Sequence, residues 1–404
     1  MMKNSVLLLI FSISLSAPLL SQTNYLLVAR TFALLDMHDG VQLRVAGFGE
    51  DMTDQTICPG PVLYMTEGDS VELQLFNMSS GAPHTVHLHG LDLIQEYDGV
   101  PQLSFSVSHM NTGFYNFKVP HAGTYLYHCH VTSTLHVQFG MYGVVVVRPP
   151  GGGMETWQGG YPFDQEKIWL SADMDSLWHH DTLFTHPYDT SNLQVPFEDY
   201  DPDYFLINSL SEQQLSDSTI ALNAAVNEVV YCRLANIGYL GNTYIFPPEL
   251  NAKIVSSDGR PLPAVEISDT LEVLPGERYG VLVESSQLLI DSIQVGYFNL
   301  NSGANLSSQY IPVTIDGYFS INEQNTGQFT VYPNPAHDVL TISLMEKPTQ
   351  PTELHISDAS GKILKREQIT TQNILIDISD LSSGVYFVTY SDYDRQISKK
   401  VVIE

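Results

Sequence analysis

Residues 70–77 read Ser-Val-Glu-Leu-Gln-Leu-Phe-Asn, with Val71, Leu73 and Leu75 at every second position. A period of two is the signature of a strand with one buried face. Phe114–Val119 and Tyr142–Val147 (YGVVVV) are further short runs rich in strand-forming residues. Gly, Pro and Asp separate them, as in an antiparallel sandwich or barrel, from about Tyr25 to Val147. Pro149 to Gly160 (PPGGGMETWQGG) is turn-rich and reads as a linker. A second β-rich region runs from about Glu166 to Phe319 and includes Val229–Leu234 and Tyr279–Glu284, with no convincing amphipathic helix. After the polar stretch Asn322–Gln328 comes a third unit of about 80 residues, alternating in Val339–Leu344 and Val385–Tyr390. The expectation is an all-β chain with units at 22–150, 166–320 and 325–404 and a linker at 151–165.

The chain has 404 residues, of which 43% are hydrophobic, enough to bury several cores. Acidic residues outnumber basic ones 45 to 17, for a net charge of −28. Such a surface repels nucleic acid and anionic membranes, and its plain reading is an acidic secreted protein. Lys3 followed by the apolar stretch Val6–Leu20 reads as a signal peptide, residues 1–21, cleaved near Ser21. That stretch is too short for a membrane span, and no later segment is long and apolar enough. Of three cysteines, Cys129 belongs to the pattern below. Cys58 and Cys232 could pair across domains or stand as two buried thiols; both readings stay open.

Histidine is sparse elsewhere but gathers in two clusters, His84-Thr-Val-His87-Leu-His89-Gly90 and Tyr127-His128-Cys129-His130, the latter followed by His136 and Met141. Residues two apart on a strand share a face. His87 and His89 therefore point one way, roughly 6–7 Å apart, and His84 points the other. By the same rule His128 and His130 share a face opposite Cys129. Setting the two strands side by side gathers His87, His89, His128 and His130 on one face. The other face gathers His84 and Cys129, with His136 and Met141 brought in by the loop. Two imidazoles, a thiolate and a thioether are the ligands of a blue copper site, and the four-imidazole face suits further copper. Zinc prefers closed tetrahedral sets, and the methionine after His136 speaks for copper. Backbone bonds join Cys129 directly to His128 and His130, a short covalent path between the faces.

These residues resemble the multicopper oxidases, the laccase-like cupredoxin family. The motifs are Pro59-Gly-Pro-Val62, Glu67-Gly-Asp69, Val86-His-Leu-His-Gly90, Asp98-Gly-Val-Pro101, Ala122-Gly-Thr-Tyr-Leu-Tyr-His-Cys-His130 and Gly140-Met-Tyr-Gly143. The resemblance implies Greek-key β-barrels of cupredoxin type. It implies a blue copper held by His84, Cys129, His136 and Met141, and half of a trinuclear cluster held by His87, His89, His128 and His130. Cys129, His128 and His130 would be the catalytic core. The reaction implied is one-electron oxidation of a phenol or metal ion coupled to oxygen reduction. A methionine axial ligand implies a lower potential within the family's range, and the loop from Cys129 to His136 is slightly longer than in typical laccases.

The second region resembles the copper-free middle domain of three-domain laccase-like enzymes, through Tyr204-Phe-Leu-Ile-Asn208, Arg233-Leu-Ala-Asn236, Ser257-Asp-Gly-Arg-Pro-Leu262 and Leu274-Pro-Gly-Glu-Arg-Tyr279. His179, His180 and His186 near its start lack ligand spacing and read as ordinary loop residues. A complete trinuclear cluster takes eight histidines, and four are in the right pattern here. Another copy of the chain or a partner protein would supply the rest; otherwise no cluster forms, leaving an electron-transfer cupredoxin. A copper nitrite reductase is a third reading. The last unit resembles the sorting domains of type IX secretion substrates, through Tyr332-Pro-Asn-Pro-Ala-His-Asp338, Gly361-Lys-Ile-Leu364 and Leu381-Ser-Ser-Gly-Val-Tyr-Phe387. It implies secretion machinery as a partner, with the product secreted or held at the cell surface; His337 and His355 belong to it and are not copper candidates.

Overall fold

The computed structural model describes residues 22–317, apart from 54–55, 80–81 and 181–198. It also describes residues 329–403, apart from 333, 335, 345–351, 359–361 and 393–394. The expected signal peptide and His186 lie outside the described residues. The chain forms two compact units, one ending at Tyr318 and one starting at Phe319.

Among the described residues the first barrel has eight strands: β1 (Gln22–Asp36), β2 (Gln42–Gly49), β3 (Leu63–Thr66), β4 (Ser70–Asn77), β5 (His87–His89), β6 (Thr112–Lys118), β7 (Gly123–His128) and β8 (Tyr142–Arg148). They form two four-stranded sheets, ordered β2-β1-β4-β6 and β3-β8-β7-β5. β1 runs parallel to β4 and β3 parallel to β8, while the remaining pairs are antiparallel. β4 behaves as its alternation predicts, with Val71, Leu73 and Leu75 in the core between the sheets. Each such side chain contributes about 1.5–3 kcal/mol by leaving water.

β8 is apolar without alternation because both its faces are covered. Val145 and Val147 enter the first core, whereas Tyr142, Val144 and Val146 pack against Leu170, Ala172 and Leu206 of the second barrel. That barrel has a six-stranded sheet, ordered Tyr204–Ile207, Gln165–Met174, Val230–Asn236, Arg278–Val283, Lys253–Ser257, Arg260–Ile267. Its five-stranded partner is ordered Leu222–Ala225, Asn305–Asp316, Leu289–Phe298, Gly241–Ile245, Thr270–Val273. A charged bridge reinforces the contact between barrels. Glu166 pairs with Arg148 and, at 2.7 Å, with Arg233, whose other end donates to Thr124 Oγ1 at 3.0 Å.

The three cysteines are all free, so no Cys58–Cys232 bridge forms. Cys232 is buried in the second core, while Cys58 sits at the barrel contact, 3.4 Å from Ser209 Oγ and 3.6 Å from Tyr142 Oη. The C-terminal unit is a separate β-sandwich. A three-stranded sheet (Phe329–Tyr332, Val339–Leu344, Asn373–Asp377) and a four-stranded one enclose Leu340, Ile342, Leu354, Ile356 and Val388. Among the described residues no helix is long and apolar enough to cross a membrane.

Candidate metal centre

β5 lies antiparallel to β7 with His87 opposite His128, Leu88 opposite Tyr127 and His89 opposite Leu126. Leu88 and Tyr127 turn into the core, which forces the histidines onto the other face. Ring centroids there lie 5.2 Å apart for His87–His128, 5.6 Å for His87–His89 and 5.3 Å for His87–His130. Ring nitrogens of His87, His89 and His128 all come within 4.8 Å of one another. His130 is 5.7 Å from His128 by ring centroid and stands outside that tightest set.

Two of these rings are oriented by backbone carbonyls. His87 Nδ1 lies 2.7 Å from Asp98 O, and His128 Nδ1 lies 3.1 Å from Cys129 O. A carbonyl only accepts, so both Nδ1 atoms carry the proton and Nε2 is left for a metal. Asp98 is placed by Gly99, whose φ of +78° is a glycine conformation and whose Cβ would stand 2.0 Å from Val86 O. Gly99→Ala is expected to cost about 1–3 kcal/mol and to weaken metal uptake on the imidazole face. Thermal unfolding and metal analysis of the variant check both effects.

On the core side, Cys129 Sγ lies 3.0 Å from His136 Nδ1 and 3.6 Å from His84 Nδ1, and all three residues are buried. His136 rides on α1 (Ser133–Gln138), a six-residue helix where the sequence pattern predicts a loop. Gly140, at φ +101°, ends it in a Schellman motif. Gly140 N–H donates to Val137 O and Met141 N–H to His136 O, both at 2.9 Å, and Cys129 N–H donates to Met141 O at 3.0 Å. These bonds tie His136, Met141 and Cys129 into one backbone unit. Gly140 was the signal that could have revealed the helix.

Burial sets the protonation of the set. It pushes the Cys129 thiol up to about 11 and holds His136 and His128 down at about 3. His89 falls to about 4, through burial first and the Arg278 guanidinium second. His84 is lowered by burial and then by His136. Neutral imidazoles are ready ligands, and a cation can take the place of the thiol proton. A soft sulfur with two imidazole nitrogens in a dry pocket fits copper.

Among the described residues these are the two groups of three or more metal-capable side chains. His179, expected to be a loop residue, is buried at the barrel contact with Nδ1 2.7 Å from Arg44 O; His180 is exposed. No histidine lies between His186 and His337, so the second barrel carries histidine only near its start and has no pair at the spacing of His87 and His89.

Residues 52–152 match the family described as "Multicopper oxidase", and residues 330–404 match "Secretion system C-terminal sorting domain". Copper resistance protein A of Escherichia coli is 42% identical over 128 residues, 31% of this chain and 19% of that protein. The copper-containing nitrite reductase of Neisseria gonorrhoeae is 31% identical over 153 residues, 33% of this chain and 36% of that protein. The chain thus spans well under two thirds of the length of these relatives. Among solved structures, the Blue Copper Oxidase from Nitrosomonas europaea superposes with a TM-score of 0.57 at 23% identity, over 73% of this chain and 86% of that one. The copper nitrite reductase from Nitrosomonas europaea gives 0.55 at 19% identity, over 73% and 94%. At such identities the likeness establishes the cupredoxin-type fold. Residues 52–152 therefore belong to the multicopper oxidase family, with copper as cofactor, and residues 330–404 are a sorting domain of exported proteins.

Proposed function

We propose that the chain is a secreted multicopper oxidase that takes single electrons from a phenol or metal ion and passes them to oxygen. His84, Cys129, His136 and Met141 hold a blue copper, and His87, His89, His128 and His130 hold half of a copper cluster. One observation carries the reading. Cys129, within hydrogen-bonding reach of two imidazoles on the core side, is the chain neighbour of both His128 and His130 on the imidazole face. Copper so bound supplies one-electron redox chemistry and a place for oxygen. Burial keeps His84, His87, His89, His128 and His136 neutral, Asp98 O orients His87, and the core excludes water from Cys129.

The first barrel (22–150) does the copper chemistry and the second (166–320) holds none. The missing cluster histidines come from another copy's first barrel or from a partner protein. A signal peptide and a type IX pathway reading residues 325–404 deliver the product outside the cell or to its surface. The test is copper per chain on the mature protein, with EPR and visible spectra. His128→Ala is expected to lose copper beyond the blue ion, and oxygen uptake with it, while keeping the colour. Loss of the colour in that variant would mean that the two faces are not separate sites.

A copper nitrite reductase is favoured by one specific feature, the compact group of only His87, His89 and His128. Nitrite consumption by the loaded protein decides for it. A plain electron-transfer cupredoxin is favoured by the lack of a second set of paired histidines in the second barrel, where His179, His180 and His186 lack the spacing of His87 and His89. One blue ion per chain and nothing more decides for that.

A further inference from the structure

α1 cannot hold itself in place. It has six residues, and isolated helices shorter than about 12–15 residues are marginal in water. Thr132 before it, at φ +45°, gives no side-chain cap. Leu135 and Phe139 seat it in the first core and Ala46 N–H donates to Phe139 O at 2.9 Å, while the second barrel grips both ends. Near the N-terminal end, the Tyr239 hydroxyl donates to Thr134 O. At the C-terminal end, the buried Gln138 side chain reaches across the barrel contact. Its Nε2 donates to Asp173 O at 3.1 Å and to Tyr200 Oη at 3.2 Å, and its Oε1 accepts from Asp175 N–H at 2.9 Å.

The gripping residues are themselves fixed by one buried carboxylate. Asp173 accepts from the Tyr200 hydroxyl and from the backbone N–H of Tyr239 and Leu240, at 2.9 Å and 3.1 Å for its Oδ2. Gly238 allows that approach, since a Cβ there would stand 2.0 Å from Asp173 Oδ2. The Tyr200 and Tyr239 rings meet at 4.9 Å, and Trp178 lies 5.2 Å from Tyr200 while packing against the first core.

We propose that Tyr239, Tyr200 and Asp173 are positioning residues for the metal centre, and that the barrel without metal ligands acts as a clamp on the helix carrying His136. The proposal rests on His136 being a copper ligand. Through the Schellman motif the clamp also fixes the backbone of Met141. It sets the ligand spacing in advance of the metal, which favours uptake and limits movement when the ion changes charge.

The test uses the full mature chain. Hydrogen exchange is followed on the copper-free protein, and EPR with copper release to a chelator on the loaded one. In Tyr239→Phe the amides of residues 133–141 are expected to exchange about fivefold faster, equivalent to about 1 kcal/mol of net hydrogen bonding. Tyr200→Phe/Tyr239→Phe together should exceed that, with a broadened copper signal and faster release. Tyr297→Phe is the control, because its buried hydroxyl donates to Leu206 O at 2.7 Å without touching α1. It is expected to lower stability and leave these amides unchanged. Unchanged exchange in Tyr239→Phe, or equal acceleration in Tyr297→Phe, overturns the clamp. If α1 loosens as expected but His136→Ala keeps the native blue signal, the clamp on α1 holds and the ligand assignment falls instead.

Discussion

Replacing Cys129 by serine is expected to abolish the blue absorption and bring oxidase activity to background, while the copper-free protein keeps its fold. Serine matches cysteine closely in size, so the pocket between His84 and His136 stays filled and stability should move by only about 1 kcal/mol. The hydroxyl is a harder donor and stays protonated, so it cannot replace the thiolate that makes a copper site blue. Copper on the imidazole face is expected to persist, because His87 and His128 keep their bonds to the backbone carbonyls of residues 98 and 129. Metal analysis with visible and EPR spectra reads all of this at once. Intact turnover in the colourless variant would falsify the assignment of Cys129.

The second large effect is on stability. Glu166→Ala is expected to destabilise the two-barrel unit by about 3–5 kcal/mol. Its carboxylate is shared by Arg233, fully buried, and Arg148, 18% exposed. Arg148 can turn toward water when the carboxylate goes, but Arg233 cannot. It stays boxed in by Thr124 and by the Tyr231 ring, 4.5 Å from its guanidinium carbon. The cost is that of a stranded buried charge, so Arg233→Met, which removes the charge itself, should cost clearly less. Thermal unfolding of the three proteins orders them, and equal shifts for both variants would refute the argument.

The parts of the fold legible beforehand are those governed by period-two patterning. β4 coincides with the alternating run that announced it, and the split of the histidines between faces follows from strand parity alone. The uninterrupted YGVVVV run marked a strand but not its second covered face, because Leu170 and Leu206 cannot be paired with it from sequence. α1 was missed because a helix under two turns long shows no periodicity, and its stop signal, Gly140, doubles as part of a family motif. The Tyr239–Thr134 bond, 105 positions apart, was equally out of reach. Cys58 and Cys232 show the limit from the other side, since two free thiols and one bridge look alike until their surroundings are known.

The pairing of His87 with His128 makes the two ligand sets a single genetic object. One residue inserted ahead of Cys129 in β7 would turn the sulfur outward and swing His128 into the core, exchanging the occupants of both faces in one step. Length changes there are tolerable only in twos, or downstream of the strand where α1 begins. Ancestral variation in the spacing of this centre should therefore have accumulated between Cys129 and His136, and an engineer wishing to alter one face alone must do so by substitution, leaving the count of residues in β7 untouched.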